Sequence, residues 1–284
     1  MTHFKDRRDL VKAAVAAAFV ACLPAVALAE GGTLADIKAR GQLTVGTEAA
    51  YEPYEFVENG AVVGYGRDIL ELMAAKLGVK LVQLNLPFQG LLPGLLSRKF
   101  DFVATSVGIN EERAKRFAFS QPIGVVHSMF VVSAANKSIA TPDDMQGKTV
   151  GTQMGSQAQP MVQDYDRQMK ARSAKGFAEI KLFQSYPDVG VALSNGTLDI
   201  GVVPSNVLAV QMRRQPGAFK SIGEIGEPRL LAWVVNPQDP EIRAFVNQTL
   251  EELRANGKLA ALQKKWFGAE LSLPTSGYLP KGAL

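Results

Sequence analysis

The sequence predicts an α/β protein with largely parallel sheets, and three observations lead to this prediction. Short apolar stretches typical of buried strands alternate with amphipathic stretches typical of helices along almost the whole chain, a pattern that indicates strand–helix–strand units. The alternation occurs in two sets, which meet near residue 129. The chain of 284 residues is also long enough for two modest domains, each with a core of its own.

The first set of elements lies before residue 108. Strands are predicted over residues 43–46, 80–84 and 102–107. A helix over residues 68–77 joins the first two strands, because its apolar residues recur on one helical face and Gly78 follows as a stop signal. A second helix is predicted after Gln89, before the third strand.

The second set repeats this pattern. Strands are predicted over residues 130–132, 149–152, 180–183 and 199–203, with helices over residues 157–169 and 187–193. After a last strand over residues 230–235, an amphipathic helix is predicted with Asp239 as its cap and Pro240 in its first turn. A final helix ends at residues 265–268. Spacing alone leaves open how the two α/β units share the chain.

The N-terminus is typical of an export signal. Four basic residues precede an apolar stretch over residues 13–29 that ends in the small–x–small pattern Ala27-Leu28-Ala29, so cleavage is expected near Ala29. The stretch is too short for a membrane anchor. Arg7-Arg8 resembles the twin-arginine export motif, and an ordinary Sec signal explains the same residues equally well. We expect a periplasmic protein by either route.

Charge and cysteine content exclude several classes of function. The net charge of +4 falls to +2 without the signal, and basic residues are interspersed with acidic ones, so no nucleic-acid partner is expected. The only cysteine, Cys22, lies inside the signal, and His127 is the only histidine after it. No thiolate or zinc site and no Ser-His-Asp triad can be assembled from such a chain. We therefore expect a monomer without metal or cofactor.

Residues 101–122 form the most informative segment. An apolar strand leads into a loop with Thr105 and Ser106, and Arg113 follows in the first turn of a basic helix. Hydroxyl and free N–H groups beside a guanidinium can hold a carboxylate through parallel hydrogen bonds. Arg113 could equally be a solvated arginine in a charged helical turn. The residues alone leave both roles open, and the resemblance described next favours the carboxylate-binding role.

This segment resembles the corresponding stretch of bacterial solute-binding proteins family 3, the polar amino-acid binders of ABC importers. Three more segments resemble the same family in the same order: GYGRDI at residues 64–69, VGTQMGS at residues 150–156 and KKWFG at residues 264–268. Gly66 departs from the pattern, since an acid usually stands there. Each motif alone is weak, but the ordered set covers nearly the whole mature chain.

The resemblance implies a two-lobed periplasmic-binding-protein fold of the Venus-flytrap type II, in which each lobe is a mixed, mainly parallel sheet flanked by helices. After the signal at residues 1–29, the first lobe would take residues 30–128 and 229–284. The second lobe would be the insert at residues 129–228. Two extended crossings would then form a hinge between the lobes.

The resemblance also implies where the ligand binds. Glu48 would pair with a cationic ligand group, Tyr51 and Phe88 would form aromatic walls, and Arg113 would hold a carboxylate. The full set of expected ligand-binding residues is Glu48, Tyr51, Phe88, Thr105, Ser106, Gly108, Arg113, Gln153, Ser156, Gln157 and Pro204.

Two of these positions depart from the family pattern. Gly108 stands where many relatives have a serine or threonine, so a hydroxyl is lost. Pro204 stands where amino-acid binders generally have the aspartate that holds the ligand's ammonium, and proline has neither a charge nor an N–H. Either the ligand lacks a free α-ammonium, or Glu48, Ser205 or Asn206 holds it.

The function expected from these features is capture rather than catalysis. A periplasmic receptor of this family would bind an amino acid or a related carboxylated or zwitterionic solute by hinge closure and deliver it to the membrane permease of an ABC importer. The alternative is an enzyme on the same scaffold, similar to cyclohexadienyl or arogenate dehydratases. Glu48 could then serve as the acid if an apolar cleft raised its pKa.

Overall fold

The computed structural model describes residues 32–284. The predicted export signal, with its arginine pair and Cys22, lies outside the described residues. Between residues 32 and 284, none of the helices combines the length and apolar character needed to cross a membrane.

The described chain contains fourteen strands and nine α-helices. The strands are β1 (Gln42–Thr47), β2 (Ala50–Tyr51), β3 (Glu55–Glu58), β4 (Ala61–Val63), β5 (Lys80–Asn85), β6 (Phe102–Gly108), β7 (Ala118–Phe119), β8 (Gly124–Val126), β9 (Ser128–Ser133), β10 (Thr149–Gln153), β11 (Glu179–Phe183), β12 (Ile200–Pro204), β13 (Phe219–Glu224) and β14 (Arg229–Val235). The helices are α1 (Leu34–Arg40), α2 (Tyr65–Leu77), α3 (Phe88–Leu96), α4 (Glu111–Ala114), α5 (Ala158–Ser173), α6 (Tyr186–Ser194), α7 (Ser205–Arg214), α8 (Pro240–Ala255) and α9 (Lys258–Phe267).

Two mixed sheets organise these elements. The first has the order β5-β1-β6-β14-β7, with β8 paired to β14. The second has the order β11-β10-β12-β9-β13. In both sheets the strands joined by helices are parallel, whereas β14 and β9 run antiparallel to their neighbours β6 and β12. A small antiparallel sheet of β2, β3 and β4 follows β1. The two-lobed α/β fold is confirmed.

The chain passes between the two sheets twice. It leaves the first sheet after β8 and enters the second at β9, and it returns between β13 and β14. His127 lies in the first crossing, and its Nδ1 is 2.9 Å from Oε2 of Glu224 at the end of β13. The two crossings are therefore in contact with each other. Below, the first lobe means the part built on the first sheet, and the second lobe means the part built on the second.

Equivalent aspartates fix the strand ends in both lobes. In the first lobe, Asp101 lies just before β6 and its carboxylate accepts a 2.8 Å hydrogen bond from the N–H of Thr44. In the second, Asp199 lies just before β12 and accepts from both the N–H and the hydroxyl of Thr149, each at 2.8 Å. Each contact fixes the start of the middle strand against its neighbour.

The predicted helix over residues 68–77 begins three residues earlier, at Tyr65. Gly64 makes this possible because its φ of 126° lies in a region that other residues rarely adopt. A Cβ at Gly64 would also overlap the backbone carbonyl of Tyr54. The glycine of the motif at residues 64–69 is therefore required by a close approach of two backbone segments.

The helix predicted after Asp239 has the expected bounds, since α8 starts at Pro240 and ends at Ala255. Asp239 is the N-cap residue, as predicted, but its side chain does not cap the helix. The carboxylate of Asp239 makes no capping hydrogen bond. It accepts two 3.1 Å hydrogen bonds from the guanidinium of Arg98 instead, which ties α8 to the segment after α3.

Candidate functional site

One cavity between the lobes is lined by every residue that the sequence singled out for ligand binding. Its lining is Glu48, Tyr51, Phe88, Thr105, Ser106, Gly108, Arg113, Gln153, Ser156, Gln157 and Pro204, together with Tyr186 and Leu231. The cavity measures about 20 Å³, which is room for about one water molecule. The lobes are therefore closed on each other, and a larger guest requires them to separate.

Arg113 lies at the centre of the contact between the lobes. Its backbone N–H donates 2.8 Å to the side chain of Asn110, which caps the short helix α4. Its guanidinium donates from Nη1 to the carbonyl of Gly108 at 3.0 Å and from Nη2 to the carbonyl of Gly155, in the second lobe, at 2.8 Å. The ring centroid of Phe88 lies 5.7 Å away.

Within residues 32–284 no carboxylate forms a hydrogen bond or an ion pair with this guanidinium, although the charge of the neighbouring Glu112 acts on it. Both of its hydrogen-bond acceptors are neutral carbonyls, although the residue is only 9% exposed. Burial lowers the pKa of Arg113 to about 10, which leaves the group charged at neutral pH. A buried charge without a counter-charge is costly, so the site is prepared for an anion.

The hydroxyls of Thr105 and Ser106 face a carboxyl group that sequence reasoning missed. Glu55 is completely buried, and its Oε1 accepts from the hydroxyl of Thr105 at 2.9 Å and from the N–H of Ser106 at 2.6 Å. Burial raises the pKa of Glu55 to about 8, against the opposing effect of these hydrogen bonds. Two of the donors expected to serve a ligand therefore serve Glu55.

Glu48 connects the first lobe to the second. Its Oε1 accepts from Nε2 of Gln153 across the cleft, and the same amide also donates to the carbonyl of Gln184 at 3.1 Å. Burial, and to a smaller extent the negative charge of Asp188, raises the pKa of Glu48 to about 7, while the bond from Gln153 opposes this. A cationic group that reached Glu48 would compete with Gln153 for it.

Aromatic side chains close one wall of the cavity. Tyr51, from the first lobe, and Tyr186, from the second, have ring centroids 6.1 Å apart. Burial raises the pKa of both phenols, so both stay neutral hydrogen-bonding groups. Sequence reasoning missed Tyr186 because the predicted helix began at Pro187. Its place directly after the serine cap of α6, at the end of a strand, was the available signal.

The space beside Gly108 is occupied by a side chain from the other side of the cleft. A Cβ at this position would overlap Oε1 of Gln157, so the lost hydroxyl is replaced in space by an amide of the second lobe. Gln157 is buried, and its Oε1 has no hydrogen-bond partner within residues 32–284. It is an acceptor available to a ligand N–H group.

Pro204 ends β12 and lines the cavity without contributing a polar side chain. Ser205 and Asn206, the neighbours considered as replacements for the missing aspartate, have hydrogen-bond partners of their own. Oγ of Ser205 accepts from the N–H of His127 at 3.3 Å, and Nδ2 of Asn206 donates to the carbonyl of Glu52 at 2.9 Å. Of the groups considered as replacements for the missing aspartate, only Glu48 lines the cavity.

Comparisons with known proteins agree with this geometry. A family model described as bacterial extracellular solute-binding proteins, family 3, matches residues 43–269. The L-cystine-binding protein TcyJ of Escherichia coli (strain K12) is 26% identical over 267 residues, which cover 93% of this chain and 97% of the relative.

Two solved structures are similar over most of the chain. The crystal structure of a mutant of ArgBP from T. maritima has a TM-score of 0.75 at 31% identity and covers 83% of this chain and 99% of that one. The ancestral amino acid-binding protein AncCDT-1, a precursor of cyclohexadienyl dehydratase, has a TM-score of 0.71 at 27% identity, with coverage of 83% and 100%.

Proposed function

Because the chain belongs to the bacterial extracellular solute-binding proteins, family 3, we propose that it captures a small carboxylated or zwitterionic solute between its lobes and delivers it to the permease of an ABC importer. Curated relatives named for binding L-cystine and arginine support an amino acid or a close analogue as the solute. The protein is a binding protein and not an enzyme, in keeping with the names of these relatives.

The observation that carries the proposal is the buried guanidinium of Arg113. It is held by one carbonyl from each lobe, and it lacks an anionic partner within residues 32–284. A ligand carboxylate would supply the missing charge and form short, charge-assisted hydrogen bonds. Binding energy from this contact would favour the closed form over the open one.

The remaining contacts would orient the ligand. Glu48 and the free Oε1 of Gln157 are the acceptors on the lining that suit an ammonium or another N–H group. Tyr51 and Tyr186 would cover the apolar part of the ligand. Because Pro204 offers no charge, discrimination for a free α-ammonium would be weaker than a carboxylate at that position would give.

Export and quaternary state are part of the same proposal. Members of the family are extracellular, and the chain would reach the periplasm by a signal cleaved near Ala29. We propose that it acts there as a monomer, with the permease as its membrane partner. The two crossings joined by His127 and Glu224 would serve as the hinge.

A thermal-shift screen tests the proposal. The purified protein is heated with L-cystine, L-arginine, L-histidine, opines, ectoine and simple dicarboxylates, and native mass spectrometry identifies any solute that co-purifies with it. A solute that binds only the folded state raises the melting temperature. We expect at least one carboxylated compound to do so, and the increase should vanish in Arg113→Ala. Stabilisation by uncharged solutes alone, or an equal increase in Arg113→Ala, would overturn the proposal.

A further inference from the structure

The carboxyl group of Glu55 lies directly behind two residues of the cavity lining. Glu55 is fully buried, and its hydrogen-bond partners within the described chain are Thr105 and Ser106. No basic side chain of residues 32–284 contacts it. Glu55 itself is not part of the cavity lining, so any hydrogen-bonded link between it and a ligand runs through these two neighbours.

The hydrogen atoms around Oε1 of Glu55 can be assigned from donor and acceptor types. The N–H of Ser106 donates to Oε1 at 2.6 Å, so Oε1 carries no proton. The hydroxyl of Thr105 accepts from the N–H of Glu48 at 3.3 Å and donates its single hydrogen to Oε1 at 2.9 Å. Neither the Thr105 hydroxyl nor the Ser106 N–H is then left to donate to a ligand.

The remaining donor is the hydroxyl of Ser106, 3.3 Å from Oε2 of Glu55. A neutral Glu55 carries its proton on Oε2 and donates it to Oγ of Ser106, which leaves the Ser106 hydrogen free for a ligand carboxylate. An ionised Glu55 has only acceptors. Oγ of Ser106 must then donate back to Glu55, and it presents a lone pair to the cavity.

We propose that Glu55 is a positioning residue whose Oε2 proton sets the direction of the Ser106 hydroxyl and thereby makes capture of a carboxylate dependent on pH. The inference rests on the proposed function, because it requires a carboxylate beside Ser106. Burial supports it, since it raises the pKa of Glu55 from 4.5 to about 8. The neutral, binding-competent form then prevails at neutral pH and is lost as the pH rises above about 8.

The titratable groups that face Glu55 do not explain such a response. Glu48 lies on the segment after β1, and its charge raises the pKa of Glu55 further. Tyr51 and Tyr54 lie on the same hairpin as Glu55, and burial raises the pKa of both phenols, so they stay neutral in this range. Any ammonium on the ligand titrates equally in every Glu55 variant. Glu48 is coupled to Glu55 by charge, so the comparison is repeated in a Glu48→Gln background.

The experiment compares wild type and Glu55→Gln with L-arginine and L-cystine as probes, by calorimetry from about pH 6 to about pH 9. Glutamine donates permanently from its amide to Oγ of Ser106, as a neutral Glu55 does. We expect the wild-type dissociation constant to rise relative to that of Glu55→Gln by up to about tenfold over this range. A constant ratio across the range would overturn the proposal.

A second pair of variants separates this role from a merely structural one. In Ser106→Ala, no hydroxyl remains to be turned. Adding Glu55→Gln to Ser106→Ala should therefore leave the pH dependence of affinity unchanged. If the Glu55→Gln substitution still removed the alkaline loss of affinity in the Ser106→Ala background, the coupling through Ser106 would be refuted.

Infrared spectroscopy tests the proton itself without any ligand. A protonated carboxyl has a carbonyl stretch above the carboxylate region. Because the pKa of Glu48 is also raised, to about 7, Glu48 gives a band of its own, and the comparison is made in Glu48→Gln. We expect such a band in Glu48→Gln, its loss when Glu55→Gln is added, and its disappearance in alkaline solution. Absence of the band from Glu48→Gln at about pH 6 would overturn the proposal. If the band behaves as expected but neither probe binds, the proposed ligand class is wrong while the proton assignment stands.

Discussion

The two lobes contribute opposite chemistry to the site. The first lobe supplies the charged groups, Arg113 and Glu48, and holds a second carboxyl, Glu55, behind the lining. The second lobe supplies neutral side chains, of which Tyr186, Gln153 and Gln157 are the largest. Under the proposed function, the first lobe would anchor the ligand by charge, and the second would complete its enclosure by hydrogen bonding and packing.

This division has a physical reason. A charged anchor on one lobe can hold a ligand while the site is still open, because its attraction does not depend on the other lobe. Neutral contacts act only at short range, so the second lobe gains from the ligand only on closure. Substitutions in each lobe can therefore show whether the two contributions are distinct.

Replacing Arg113 should abolish the anchor. We expect Arg113→Ala to lose on the order of 3 kcal/mol or more of affinity for a carboxylated ligand, because the carboxylate would be buried without its partner. Arg113→Lys keeps the charge but not the planar fork, and it should lose less. Calorimetry measures the affinities, and circular dichroism checks that both variants stay folded. Unchanged affinity in Arg113→Ala would show that the first lobe is not the anchor.

Removing the shifted carboxyl of Glu48 should change how stability depends on pH. The folded-state pKa of about 7 lies above the ordinary value of 4.5. At pH values between these two, the native state therefore binds more protons than the unfolded state. The free energy of unfolding should therefore fall as the pH rises from about 4.5 through about 7, by roughly 2–3 kcal/mol from this group.

Urea unfolding of wild type and Glu48→Gln at several pH values measures this effect. The decline should be smaller in Glu48→Gln, whereas Glu58→Gln, which alters an exposed glutamate of the same lobe, should follow wild type. If the free energy of unfolding changed equally with pH in wild type and Glu48→Gln, burial in the first lobe would not raise the pKa of Glu48.

Giving the second lobe a charge should weaken the contrast between the lobes. Pro204→Asp would place a carboxylate at the end of β12, where it faces the cavity and also suits the start of α7. We expect it to raise the preference for L-arginine over its α-deamino analogue by about tenfold. Pro204→Asn is the uncharged control. An equal gain in both variants would point to hydrogen bonding rather than charge.

The smallest effect is expected at Gly108. Gly108→Ser introduces a Cβ that overlaps Oε1 of Gln157, but this amide end can rotate away. Affinity should fall about threefold, which corresponds to less than about 1 kcal/mol. Adding Gln157→Ala should bring no further loss, because the serine hydroxyl then occupies the space. If the two substitutions instead lower affinity independently, Gln157 does not fill the site of Gly108.

Much of the fold followed from local patterns. Apolar periodicity located the parallel strands and most helices to within a few residues, and Gly78 and the residues before Pro240 marked helix ends correctly. The hairpin of β2, β3 and β4 was missed because its strands are short, and their burial depends on neighbours distant in sequence. Helix α2 begins earlier than predicted because Gly64, the residue before it, lies in close contact with the backbone of Tyr54.

Prediction of the site went further, because all of the expected residues line one cavity. Their role as ligand contacts stays a prediction that the experiments above address. Sequence reasoning could not find Glu55, since a glutamate in a polar hairpin is typical of solvated surface and only its packing against β6 buries it. It could not assign partners either, which is why Thr105 was expected to face a ligand when its hydroxyl serves Glu55.

Sequence patterns were enough to identify the α/β elements, the family and the residues that line the cavity. Periodicity, glycine stops and motif order act over short stretches of chain, so they can be recognised without coordinates. Tertiary structure alone decided which hydrogen-bonding groups remain available to a ligand. A buried donor is used by its nearest acceptor, and that acceptor can lie 50 residues away in the chain, as Glu55 does from Thr105.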